Sequence, residues 1–171
     1  AKNNFNNTNK TTSCLNVTEI STPTMLLSLP ALAVQNSAPT LGAKSESLFN
    51  AVLAWEDLMH ICKTTQGIDN TYSKNDMQSR QNVRCMQMFS GAFMYAAGNH
   101  IGIGYNSCAG MVGGRPISQL GSGATSNGLF GWGIAHEIGH NMDKLGRAEI
   151  TNNLYSLMVQ TYDGGANILP S

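Results

Sequence analysis

The chain has 171 residues, ten basic side chains against ten acidic ones, and a charged fraction of only 12%. That length suits one domain with a sizeable core, and balanced charge without a basic run excludes a nucleic-acid footprint. No apolar stretch approaches the roughly 20 residues that span a membrane, and Ala1 to Ser13 lacks the apolar centre of a signal peptide.

Residues 1–14 are rich in Asn, Thr and Lys and are expected to form a flexible N-terminal segment, with residues 15–171 as a single domain. Three Asn-x-Thr sequons, at Asn6, Asn9 and Asn16, agree with a secreted or cell-surface protein. Leu15, Val17 and Ile20 predict a first strand, and TMLLSLP a second that Pro30 stops. Ala31 to Ala43, with Pro39 and Gly42, reads as a loop. From Ser45 to Cys62, the residues Leu48, Val52, Trp55, Met59 and Cys62 keep a helical period, with Ser45 or Ser47 as N-cap. His60 on that helix reads as a surface or satisfied core histidine. Thr64 to Asn82 is polar and turn-rich, a connecting loop. Val83 to Phe89 predicts a strand in which Met86 and Met88, with the nearby Met94, fill core space. Gly98 to Tyr105 reads as extended. Residues 106–128 are rich in Gly and Ser, the kind of loop that borders a site; Arg115 within it reads as a solvated cation. Trp132 reads as core.

Four cysteines, Cys14, Cys62, Cys85 and Cys108, form no C-x-x-C pair, which argues against a cysteine metal site or a redox motif. Two disulfides and small buried thiols are equally compatible with the spacing.

The chemistry concentrates in Gly131 to Asp143, GWGIAHEIGHNMD, which contains His136-Glu137-Ile138-Gly139-His140. Residues four apart lie on one face of a helix, so His136 and His140 can share one metal ion without distorting the backbone. Glu137 is then placed as a general base toward water in the open position, the arrangement of zinc peptidases. No histidine follows His140, so a third ligand must be a carboxylate, or the site is incomplete. Glu149 is the first candidate: Gly146 is expected to end the metal helix in the left-handed conformation, and Glu149 opens EITNNLYSLMV, whose Leu154, Leu157, Met158 and Thr161 recur at helical spacing. Asp163 is a second candidate, near the end of that helix, and Asp143 is better placed to orient His140. Asn141, Asp143 and Asn153 are candidates to hydrogen-bond the histidine ligands.

WGIAHEIGHN followed by Glu149 in EITNN resembles the enhancin-like, mucin-degrading zinc peptidases, peptidase family M sixty of the gluzincin type. TMLLSLPA and MYAAGNHIGI look like strands of that family, so the likeness runs from about residue 17 to 163. It implies an α+β, zincin-like fold: a small, largely antiparallel sheet packed with helices, one of them carrying the motif. It implies a Zn2+ cofactor held by His136, His140 and Glu149, with Glu137 as the catalytic base. It implies an endopeptidase that cleaves glycoproteins, O-glycosylated mucin-like substrates among them, and acts as a monomer. By the same likeness the substrate-pairing strand falls on Asn99 to Gly104, where His100 reads as structural or neutral and Tyr105 is a minor candidate for oxyanion stabilisation. Family catalytic domains run past the third ligand into a helical subdomain, so the chain is expected to be truncated on its C-terminal side. The competing reading is a catalytically inactive glycoprotein-binding module that keeps the zincin fold.

Overall fold

Along the strand β2 (Met25–Pro30), Met25, Leu27 and Leu29 are fully buried while Leu26, Ser28 and Pro30 between them stay half-exposed, the period-two pattern of a sheet covered on one face. The computed structural model describes residues 16–35, 41–67, 80–98, 100–112, 132–142 and 146–163. The sequence-predicted flexible segment 1–14, Arg115 and Asp143 lie outside them. β1 (Val17–Ser21) runs antiparallel to β2 with Ile20 opposite Leu27. β3 (Gln81–Met86) runs parallel to β2, and β5 (His100–Gly104) parallel to β3, which aligns Leu27, Val83 and Ile101 across the sheet. β4 (Met94–Ala97) closes the far edge antiparallel to β5, giving the order β1-β2-β3-β5-β4.

The expected largely antiparallel sheet is therefore antiparallel at its two edges and parallel at its centre. β3 and β5 are parallel because β4 comes between them in the chain and pairs on the far side of β5; for β2 and β3 the cause is the helical crossover between them. Parallel neighbours need a long connection, usually helical, that returns the chain to the starting end of the sheet. The predicted helix lies in that connection.

That connection also corrects the reading of Ala31 to Ala43 as a loop. It supplies a five-residue helix, α1 (Ala31–Gln35), and the first residues of α2 (Leu41–Thr65). Val34 is buried in the core, so tertiary packing holds a helix too short to persist alone. With α2 starting at Leu41, neither Ser45 nor Ser47 is its cap. Ser47 Oγ instead donates to the carbonyl of Val112, 2.7 Å away. The predicted apolar face is otherwise in place: Trp55, Leu58, Met59 and Cys62 are fully buried against the sheet, and His60 is exposed. Glu56 accepts from the Thr24 hydroxyl at 2.9 Å and from Thr22, fixing α2 beneath the β1–β2 turn.

After β5 the chain forms a 3-10 helix, Tyr105–Val112, within the segment read as loop. A Cys85–Cys108 disulfide ties it to β3, and Trp55 Nε1 donates to Met111 O at 3.0 Å, tying it to α2. Cys62 is a buried free thiol.

The sheet order overturns one expectation. β5 lies between β3 and β4, so its backbone groups are engaged on both sides and cannot pair with a substrate. Among the described residues the free edge on that side is β4. His100 keeps to its reading as a structural residue, and Tyr105 lies beside it. With Arg84, Met86 and Tyr95 they line a hollow of about 440 Å³ on the sheet face opposite the helices. There the Tyr95 hydroxyl lies 3.1 Å from His100 Nε2 and 3.2 Å from Met86 Sδ. Met94 is the methionine of the three that enters the core.

Candidate metal centre

The helix α3 (Ile134–Met142) owes its place to one apolar stripe. Ile134, Ala135, Ile138, Gly139 and Met142 are buried, and the same periodicity leaves His136, Glu137, His140 and Asn141 half-buried on the other side. The two imidazoles meet edge to face with ring centroids 4.8 Å apart. α4 (Asn152–Asp163) packs across α3 through Asn152, Tyr155, Ser156 and Val159. Gly139 makes this approach possible: a Cβ there would lie 2.7 Å from Asn152 Cβ and 2.8 Å from Asn152 Cα. Trp132, expected in the core, is 39% exposed; its carbonyl accepts from Ser156 Oγ at 2.8 Å, joining the start of α3 to α4.

Glu149 precedes α4 instead of opening it. It stands in a turn held by hydrogen bonds from the Ile150 and Thr151 amides to Arg147 O, at 3.1 and 3.0 Å. Its own φ is +66°, an uncommon conformation for a residue with a Cβ, and Asn153 Nδ2 holds its carbonyl at 2.9 Å. Gly146, at φ +69°, takes the left-handed conformation expected of it. The result is a carboxylate turned back over the histidines: Oε2 is 3.2 Å from His136 Nε2 and Oε1 is 3.1 Å from His140 Nε2. The three potential ligand atoms lie within 4.8 Å of one another, the one such group among the described residues. Asp163 closes α4, about 16 Å of helix from Asn152 at 1.5 Å per residue.

Hydrogen bonding fixes what this group can hold. Because Asn153 Nδ2 donates to Glu149 O, its Oδ1 is the atom 2.8 Å from His136 Nδ1. An amide oxygen only accepts, so Nδ1 carries a proton and Nε2 is the ring atom turned toward the carboxylate. Two imidazole nitrogens and one carboxylate are a donor set that zinc takes in catalytic sites, so the residues fit the ion that the motif implies.

Of the three side chains expected to orient the histidines, Asn153 touches one. Asn141 does not: its Nδ2 donates to Gln81 Oε1 at 2.8 Å and to His100 O at 3.3 Å, bracing α3 against the starts of β3 and β5. Glu137 is half-buried beside the group, and that burial raises its carboxyl above the ordinary glutamate value. Asn152, which no sequence pattern singled out, is fully buried with its amide nitrogen against both Nε2 atoms. At the first position of a helix an asparagine reads as a cap, and that local reading hides its contact with residues sixteen and twelve positions earlier.

A family model described as peptidase M60, enhancin and enhancin-like, matches residues 16–164. Among solved structures, the ZmpB metallopeptidase from Clostridium perfringens is 25% identical with a TM-score of 0.61, over 85% of this chain and 26% of that one. The M60 catalytic domain of Clostridium perfringens ZmpC, in complex with the sialyl T antigen, is 24% identical with a TM-score of 0.60, over the same shares. A metallopeptidase from Bacteroides thetaiotaomicron is 18% identical with a TM-score of 0.58, over 84% of this chain and 22% of that one. The chain thus spans about a quarter of the length of these structures. No curated protein matches it significantly.

Proposed function

Because the chain belongs to the peptidase M60 family, enhancin and enhancin-like, we propose that it is the zinc-binding portion of an endopeptidase that hydrolyses glycoproteins, O-glycosylated mucin-like chains among them. The observation that carries the reading is the convergence of His136, His140 and Glu149, with His136 Nε2 turned toward the carboxylate by the Asn153 contact at Nδ1. His136, His140 and Glu149 would hold the ion. When bound, zinc supplies a Lewis acid that polarises a carbonyl and acidifies water to a pKa of about 7.

Glu137 is the general base. It follows His136 directly, so its carboxylate shares the open side of α3 with the ligands. It takes a proton from the attacking water and returns it to the departing amine. Partial burial raises its carboxyl, the direction that makes a carboxylate a stronger base toward water. Asn153 keeps His136 in the tautomer that offers Nε2. The edge of β4, free among the described residues, is the strand on which an extended substrate can add backbone hydrogen bonds.

The glycoprotein substrate is supported by the related ZmpC domain, which is known in complex with the sialyl T antigen. A secreted or cell-surface location is supported by the Cys85–Cys108 disulfide, a bond of oxidising compartments; no helix among the described residues is long and apolar enough to cross a membrane. The test pairs elemental analysis with cleavage assays on an O-glycosylated peptide and its bare counterpart. One equivalent of zinc, faster cleavage of the glycosylated peptide, and a loss of several orders of magnitude in Glu137→Gln are expected. Near-normal turnover by Glu137→Gln would remove the mechanism, and preference for the bare peptide would remove the substrate class.

A further inference from the structure

The sheet face opposite the helices carries its own row of side chains. The strand registers align Glu19, Ser28, Arg84, Gly102 and Tyr95 across the five strands on that face. Gly102 lets Tyr95 lie down. A Cβ there would stand 2.2 Å from Tyr95 Cε1 and 2.8 Å from Met86 Sδ, so the ring crosses β5 instead of rising from β4. Its hydroxyl ends between two partners, 3.1 Å from His100 Nε2 and 3.2 Å from Met86 Sδ. The ring face is thereby fixed as part of the wall of the 440 Å³ hollow, a volume within the range of pockets that take small ligands.

The rest of the wall is mixed in character. Arg84 is exposed in the hollow and pairs with no carboxylate among the described residues, whose ion pairs join only Glu149 to the histidines. Glu19 shares its row but lies two strand spacings away, about 10 Å. Tyr105, 57% exposed, adds a second aromatic ring, and Asn16 and Ser28 add neutral polar groups.

Each feature narrows the ligand. One guanidinium without an internal counter-ion matches one carboxylate, which it can hold by two parallel hydrogen bonds. No lysine or second arginine lines the hollow, and Glu19 borders the row, so a dianion such as a phosphate is poorly matched. Aromatic surface beside amide and hydroxyl groups suits a body that is apolar on one side and hydroxylated on the other. A sugar ring that bears one carboxylate has all of these properties.

We propose that this hollow binds a monocarboxylate sugar, with Arg84 on the carboxylate and Tyr95 and Tyr105 against the ring. The proposal rests on the glycoprotein reading for its use: across the sheet from α3, the hollow holds an acidic sugar of the substrate away from the bond being cut.

The experiment is an amide NMR titration of the full chain with the methyl glycosides of glucuronic acid, N-acetylneuraminic acid and glucose, and with a short peptide ending in a free carboxylate. At least one acidic sugar should shift the Gly102 and Tyr105 amides saturably, and the glucoside should bind about tenfold more weakly or less. Arg84→Gln should weaken the acidic sugar about tenfold, and Gly102→Ala, which displaces the Tyr95 ring, should weaken it too. Arg84 is exposed, so its replacement leaves the core intact and decides the matter even if Gly102→Ala fails to fold. No shift at Gly102 and Tyr105 with either acidic sugar, equal binding of the glucoside, or unchanged binding in Arg84→Gln overturns the proposal. So does a peptide that binds there as tightly as the sugars. Zinc uptake and peptide cleavage are measured beside it: binding in the hollow without either would remove the peptidase reading and leave the site, and cleavage without binding would do the reverse.

Discussion

Burial raises the Glu137 carboxyl, the two imidazoles pull it down, and Glu149 adds to the rise. A carboxyl raised in the folded state favours folding in its protonated form. That contribution is full below the unfolded value of about 4.3 and is lost as pH climbs through the folded value. In the metal-free chain Glu137→Gln should therefore match the wild type near about pH 4 and gain thermal stability over it toward about pH 7. Calorimetry of chelator-treated protein would show this, and a constant difference across the range would contradict it. For the metal itself, Glu149→Ala should lose most zinc affinity, Asn153→Ala should lose about 10–100-fold, and Asp163→Ala should lose none, by competitive chelator titration. Retention by Glu149→Ala with loss in Asp163→Ala would reverse the ligand assignment. His136 and His140 are legible in the sequence because helix geometry turns a spacing of four into a shared face, and Glu149 because no histidine follows His140 and EITNN resembles the family pattern. Asn152 and the bracing role of Asn141 are not, since each is defined by a partner that only tertiary packing brings near.

At the level of elements, the pair α3–α4 is the unit that matters. Its closeness is set by Gly139, where an added methyl would press on backbone atoms of Asn152 that cannot rotate aside. Gly139→Ala should cost about 1–3 kcal/mol in urea unfolding, the scale of overpacking in a tight interior, and should weaken zinc binding as well. A neutral effect would mean that α4 shifts freely. β1, β2, β3 and α2 were legible from their apolar pattern, β5 as an extended segment, and β4 only through the family resemblance. The short α1 was not, because Val34 is held by the core and not by any local helical signal. Nor was the parallel centre of the sheet: strand residues carry no mark of the direction of their neighbours, and the crossover through α2 and the excursion through β4 decide it.

For the whole molecule, the Cys85–Cys108 bond spans 23 residues and closes a loop that includes β4 and β5. Cross-linking a loop of that size contributes about 3 kcal/mol by restricting the unfolded chain. Cys85→Ser, Cys108→Ser should lower the urea midpoint accordingly, and an unchanged midpoint would show that the bond adds nothing. Burial pushes the Cys62 thiol up, so in the native protein its peptide should resist alkylation and become labelled only on unfolding; rapid native labelling would place it at the surface.

The four residues of β4 set how much a bound polypeptide can be read by this edge. Along any strand only alternate residues turn their amide and carbonyl outward, so about two residues of β4 are available to a visiting chain. Such a ladder is blind to side-chain identity. It can establish which way the visitor points and that it is extended, and almost nothing about its composition. Under the proposed peptidase reading, selectivity for one cleavage position would then rest on groups elsewhere that recognise what hangs from the polypeptide.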